Sequence, residues 1–179
     1  QARGLRAAIY RPSLVVGDSR SGAWSADNII ATMLRSWVKL GMAPDVDGEL
    51  DLVPVDYVSR AIVGLMCGRP SPNIYHLNSS QPVKTTELVD WLRDCGYAIQ
   101  KVPYAAWRAE MRRSDDAGRQ LMLTAVGPLL ALQVSEDVGW LAHVPRFKNH
   151  GTAPSSVGGE CPTVDEAMLR KLVAYLRLD

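Results

Sequence analysis

The sequence predicts an α/β protein with parallel strand pairing, and two observations carry the prediction. Between Leu5 and Val102, short β-branched runs alternate with stretches whose apolar residues recur every three or four positions. Beyond Pro103 the strand signals stop and helical spacing takes over, which divides the chain into 1–103 and 104–179.

The elements follow in order. Leu5-Arg6-Ala7-Ala8-Ile9-Tyr10 reads as a buried strand stopped by Pro12, which has no N–H for a ladder. Gly17 to Ala26, rich in Gly, Ser and Asp, is a loop. Ile29, Ile30, Met33, Leu34, Trp37, Val38 and Leu40 form a helical stripe, with Ser25 or Asp27 as its cap and Gly41 as its stop. Leu50 to Val55 is a short strand, and Asp56 is placed to cap the next helix, whose stripe is Val58, Ala61, Ile62 and Leu65. Asn73 to Asn78 is a strand, and a His76 inside so apolar a run reads as a hydrogen-bonded core residue. Thr85 or Thr86 opens a helix ending near Gly96, and Ile99 to Val102 is a further strand. Helical patterns run from Tyr104 to about Leu132, broken at Gly127-Pro128, and an irregular connection spans Val144 to Pro162. Thr163-Val164-Asp165-Glu166 has the spacing of a capping box before a last helix with Leu169, Leu172, Val173 and Leu176 on one face.

Composition excludes several function classes. A net charge of +1 from 20 basic and 19 acidic residues offers no electrostatic case for nucleic acid or an anionic membrane. No apolar run approaches the roughly 20 residues that span a bilayer. The start, Gln1-Ala2-Arg3, has neither an initiator Met nor a secretory signal and reads as an internal stretch of a cytoplasmic protein. Cys67, Cys95 and Cys161 lie far apart without metal-ligand spacing, so no metal site is expected and the thiols read as buried or incidental in a reducing cytosol.

Catalytic motifs are sparse. Gly158-Gly159 follows no strand and opens no helix, which fails the context a dinucleotide loop requires. Neither GxSxG nor HExxH occurs, and no Tyr-x-x-x-Lys pair for proton transfer is expected, since Tyr10, Tyr57 and Tyr75 have Leu14, Ala61 and Ser79, not lysine, four residues on. No self-sufficient catalytic constellation and no catalytic residue is therefore expected in this chain.

The informative feature is an ordered set of blocks. Tyr10-Arg11-Pro12-Ser13-Leu14-Val15-Val16-Gly17-Asp18-Ser19 is followed by Gly22, Asp27, Gly41-Met42-Ala43-Pro44 and Leu52-Val53-Pro54-Val55-Asp56-Tyr57-Val58. Tyr75-His76-Leu77-Asn78, Trp91-Leu92-Arg93, Gly96-Tyr97, Val102-Pro103-Tyr104, Trp107 and Cys161-Pro162-Thr163-Val164-Asp165 complete it. This order resembles the terminal thioester reductase domains of nonribosomal peptide and polyketide synthetases, members of the extended short-chain dehydrogenase/reductase family. The resemblance implies the C-terminal part of a Rossmann-like fold with a mainly helical substrate-binding subdomain. It further implies that the NADPH loop and the catalytic Ser/Thr, Tyr and Lys belong to an N-terminal half not present here.

Residue expectations follow. In open α/β sheets ligands bind at the carboxyl ends of strands, so Arg11, Pro12, Ser13 and Val16 are the cofactor-side candidates. By resemblance, Ser19, Trp24 and Asp27 fall in the loop that builds the substrate channel, and Tyr57 is a further pocket candidate. Arg108, Arg112 and Arg113, with Arg119 beyond them, form a basic cluster suited to an acidic phosphopantetheinylated carrier protein, although Asp115 and Asp116 interrupt it. The parent activity expected is NADPH-dependent reduction of a carrier-bound acyl or peptidyl thioester to an aldehyde or alcohol. The alternatives are a non-catalytic carrier-docking subdomain and an epimerase-like member of the same extended family.

Overall fold

A computed structural model of the chain describes residues 8–68, 74–113, 140–143 and 159–178. The elements are β1 (Ile9–Pro12), β2 (Leu14–Val16), α1 (Ile29–Leu40), β3 (Met42–Pro44), β4 (Glu49–Leu50), β5 (Leu52–Pro54) and α2 (Val55–Cys67). They continue through β6 (Ile74–Leu77), β7 (Val83–Lys84), α3 (Thr85–Asp94), β8 (Gln100–Val102), α4 (Tyr104–Arg113), a 3-10 turn (Trp140–His143) and α5 (Glu166–Leu176). The parallel pairing predicted from alternation is present in β1–β6, β2–β5 and β3–β8, while β4–β7 is antiparallel.

The β2–β5 pair shows why the β-branched runs matter. Val16 and Leu52 enter the main core, while Val53, packed against Val15, belongs to a second cluster with Tyr57, Val58, Ala61 and Leu77. Alternate side chains thus serve opposite faces, as the two-residue period of a strand requires. α1 and α2 both pack on β2, which makes this pair a partition between the two apolar clusters. The main core gathers the α1 stripe around a fully buried Trp37, and it continues across Pro103 through Tyr104, Trp107 and Met111 of α4 to Leu169, Leu172 and Val173 of α5.

Four local expectations need correction. The first strand does not stop before Pro12: Pro12 lies opposite Leu77, and the ladder bond comes from the next residue, Ser13 N–H to Leu77 O at 2.9 Å. A parallel strand sends only alternate N–H groups to a given neighbour, so proline fits at that position. Residues 5–7 of the expected strand lie outside the described residues.

The single strand expected from Leu50 to Val55 is two strands, because Asp51 interrupts it. Its buried carboxylate accepts from Ser79 N–H at 2.7 Å, and the chain changes partner from β7 to β2 across it.

The cap of α1 is neither Ser25 nor Asp27 but Asn28. Its Oδ1 accepts from Ile30 and Ala31 N–H, while its Nδ2 donates to Val15 O at 2.9 Å. Finally, the capping box at Thr163 does not form: Asp165 caps α5 through Met168 N–H, Glu166 pairs with Arg170, and Thr163 Oγ1 meets Gln81 Oε1. Gly41 does end α1, at φ 62, where a left-handed cap favours glycine. Of the expected helical run to Leu132 and the connection from Val144 to Pro162, the parts at 114–139 and 144–158 lie outside the described residues.

Candidate functional site

The carboxyl ends of β1, β2, β5 and β6 bring most of the candidate residues to one region. At β1, Arg11 and Pro12 are exposed and Arg11 stands opposite His76. Ser13 is half-buried with its N–H already given to Leu77, and Val16 turns its side chain into the core. The Val15 carbonyl is taken by Asn28. Arg11 and Pro12 therefore leave an exposed rim at this edge. Among the described residues no glycine-rich turn offers a dinucleotide's phosphates a cradle of free N–H groups.

The loop that follows β2 is held at several points. Asp56 lies in the first turn of α2, not at its cap, a position taken by Pro54. Its carboxylate is turned outward from the helix: Oδ1 accepts from Ser19 N–H at 2.9 Å, and Oδ2 accepts from Ser19 Oγ at 2.9 Å and Arg60 Nη1 at 2.8 Å. Burial pushes the Asp56 carboxyl up, but the Ser19 amide, Arg60 and the Ser19 hydroxyl outweigh it and hold it below the ordinary carboxylate value. Within the loop, Asp18 accepts from Arg20 and Ser21 N–H and from Ser21 Oγ. Trp24 packs into the main core, 8% exposed, whereas Asp27 is exposed in a turn.

Tyr57 sits at the second cluster, 2% exposed, beside Cys161. Burial, then the charges of Cys161 and Asp51, raise its phenol to about 12, so it stays a neutral hydroxyl. Burial likewise raises the Cys161 thiol to about 12, aided by Asp51 and Asp56 and opposed by a hydrogen bond from Ser79. Such a thiol is not a nucleophile at neutral pH.

Of the basic cluster, Arg108 is half-buried and Arg113 exposed on α4; the side chain of Arg112, Arg119, Asp115 and Asp116 lie outside the described residues. A separate shallow cleft of about 260 Å³ lies between Gln81–Val83, Glu87, Trp91 and Thr163–Asp165.

Sequence reasoning missed three features. Asn28 and the Asp18 turn had local signals: Asn directly before the apolar stripe, and Asp-Ser-Arg-Ser-Gly after a strand. The third is a Tyr-x-x-x-Lys spacing that does occur, at Tyr97 and Lys101. That spacing puts both side chains on one face only in a helix. Here Gly96 is left-handed at φ 97, Tyr97 is in irregular backbone, Lys101 is in β8, and its Nζ pairs with Asp90 at 2.7 Å. The geometry is not that of a proton-transfer pair.

Comparisons with known proteins bear on the fold. A family profile described as "Male sterility protein" matches residues 1–62. The fold is that of the extended short-chain dehydrogenases/reductases, a Rossmann-like α/β class. It is shared at the level of fold with a dTDP-glucose 4,6-dehydratase from Streptomyces venezuelae, which aligns over 98% of this chain and 45% of its own at 19% identity and TM-score 0.57.

Within that class the chain is a relative of terminal reductase domains, which it matches over part of their length. The terminal R domain from the myxalamid PKS-NRPS pathway aligns with 98% of this chain and 45% of its own, at 33% identity and TM-score 0.82. Isonitrile lipopeptide synthase of Streptomyces coeruleorubidus is 34% identical over 176 residues, 93% of this chain and 12% of that protein. The L-2-aminoadipate reductase large subunit of Eremothecium gossypii is 32% identical over 137 residues, 75% of this chain and 10% of its own. The chain therefore spans a small part of the curated relatives it matches. No helix among the described residues is long and apolar enough to cross a membrane.

Proposed function

We propose that this chain forms the substrate-side part of a cytoplasmic, NADPH-dependent thioester reductase acting on a carrier-bound acyl or peptidyl group. The observation that carries the reading is the alignment of nearly the whole chain with a terminal R domain at 33% identity. A nicotinamide cofactor would supply the hydride, and the residues that bind its phosphates and polarise the thioester carbonyl would come from outside this chain. Arg11, Pro12, Ser13 and the Val16 backbone would border the cofactor. Ser19, Trp24, Asp27 and Tyr57 would shape the acyl side, Trp24 and Tyr57 by filling the wall behind it. Such positioning accelerates a reaction without any titrating group. The 104–179 segment would face the carrier, with Arg108, Arg112 and Arg113 meeting its acidic surface.

Two features support further structure of the same domain packing on this part. Ile9 and Ile74 are a cross-strand pair with both side chains about half exposed, and Val63 and Met66 on α2 are each 59% exposed.

The test is to follow nicotinamide absorbance with NADPH and a carrier-bound thioester. The 179-residue chain alone is expected to give no turnover, and the same sequence joined to a nucleotide-binding half is expected to oxidise NADPH. Turnover by the chain alone overturns the division of labour; none from the joined protein overturns the reductase reading.

A further inference from the structure

The loop after β2 has the composition of a mobile flap and the bonding of a fixed structure. Every residue from Gly17 to Ser21 takes part in a hydrogen bond that ties the loop down. Gly17 O accepts from Val55 N–H at 3.4 Å, Asp18 N–H reaches Ala23 O at 2.9 Å, and Gly22 N–H returns to Asp18 O at 2.9 Å. Ser19 offers both its N–H and its Oγ to the two oxygens of one carboxylate, and the Asp56 side chain that receives them is only 8% exposed. On the opposite side, Gly22, at φ 74, lies so close to α5 that a Cβ built on it would stand 2.5 Å from Lys171 O. Trp24 then anchors the exit of the loop in the main core. The segment is thus gripped by α2 at one side, by α5 at the other, and by the core at its end.

We infer that Asp56 is a positioning residue that holds the 17–24 segment as a preformed wall beside the carboxyl ends of β2 and β5. If the reductase reading above holds, that wall selects the acyl group by shape. Neither a helix cap nor a general acid would fill this role of Asp56. A cap would accept from backbone N–H groups of its own helix, and an acid would need a carboxyl shifted upward, whereas this one is shifted downward and takes two hydrogen bonds from a distant loop and one from the Arg60 side chain.

Hydrogen exchange by mass spectrometry on the 179-residue chain tests the clamp. In the wild-type chain the peptide covering 17–24 is expected to exchange on the timescale of α1, not within the first time point. D56A is expected to speed that peptide roughly tenfold or more, for two lost charged hydrogen bonds, and to leave α3 unchanged. S19A, which deletes only the hydroxyl bond, is expected to give a smaller rise in the same peptide and covers the case in which D56A fails to fold. Immediate exchange in the wild type overturns the inference, and so does a rise spread evenly over the chain in both variants.

A second arm uses the enzyme that contains this chain, with two carrier-bound thioesters of different acyl length. There S19A and D56A are expected to change the ratio of their kcat/KM values roughly tenfold. An unchanged ratio overturns the acyl-wall role even where exchange supports the clamp. Wild-type enzyme that reduces neither thioester would instead overturn the reductase reading.

Discussion

Replacing Gly22 by alanine isolates the contact between the loop and α5. An alanine at φ 74 pays the left-handed penalty, about 1–2 kcal/mol, less about 0.4–1 kcal/mol recovered because the unfolded chain is stiffer. The new methyl would stand 2.5 Å from Lys171 O and 2.8 Å from Lys171 C, both backbone atoms that no rotamer change can move. Overpacking of this kind costs about 1–3 kcal/mol. The sum is a destabilisation of roughly 2–4 kcal/mol. Gly41 supplies the control, since its φ is 62 and its built Cβ meets only Ala98 O at an ordinary 3.5 Å. G41A should therefore cost only about 1 kcal/mol, and the difference between the two variants is the packing contribution. For a chain of 179 residues, a gap of about 2 kcal/mol separates the two Tm values by roughly 4–8 °C. Urea unfolding of G22A, G41A and K171A, with m held constant, measures it. K171A should be neutral, because the contact is to the carbonyl and not to the side chain. If G22A costs no more than G41A, the loop does not rest on α5 and the reasoning fails.

Two further predictions concern other groups. N28A should cost about 1–2 kcal/mol in the same assay, since it removes the α1 cap and the bond to Val15 O; D27A should be neutral, and the reverse order would restore Asp27 as the cap. At pH 8, alkylation read by mass spectrometry should modify exposed Cys67 first and leave Cys161 as a thiol. The same shift fixes a sign at high pH. With folded values near 12 for Cys161 and Tyr57, the unfolded chain loses those protons first, so stability should fall as pH rises above about 9. Stability that rises between pH 9 and 11 would show that neither group is shielded.

What the sequence revealed and what it hid divide along the range of the interactions. The α1 stripe from Ile30 to Trp37 and the α5 face from Leu169 to Leu176 are buried as their spacing predicts, because a helix face is decided by residues one turn apart. The caps were harder. Ser25, Asp27 and Asn28 are all competent, and the choice falls on Asn28 because its amide can also reach β2, thirteen residues back. Asp56 looked like a cap because Pro-Val-Asp precedes a helix, but its partner Ser19 lies 37 residues away and leaves no mark in the local pattern. The break at Asp51 has the same origin, since the N–H of Ser79 from a distant segment helps make a buried carboxylate tolerable within a run of apolar residues. The Tyr97–Lys101 spacing failed in the opposite direction: a motif that means chemistry on a helix means nothing across a left-handed glycine and a strand.

The parallel ladders also set the order in which this chain can acquire its shape during synthesis. β1 is among the earliest described segments to emerge, yet its partner β6 ends at Leu77, and β2 and β3 likewise wait for β5 and β8. No parallel pair can close by a local hairpin, so each of these early strands waits for its partner while the intervening helix is made. A ribosome pause before Leu77 would leave the Ile9–Pro12 strand without its β6 partner. Translation rate through the α2 region should therefore govern the yield of correctly folded protein more than any change in α5.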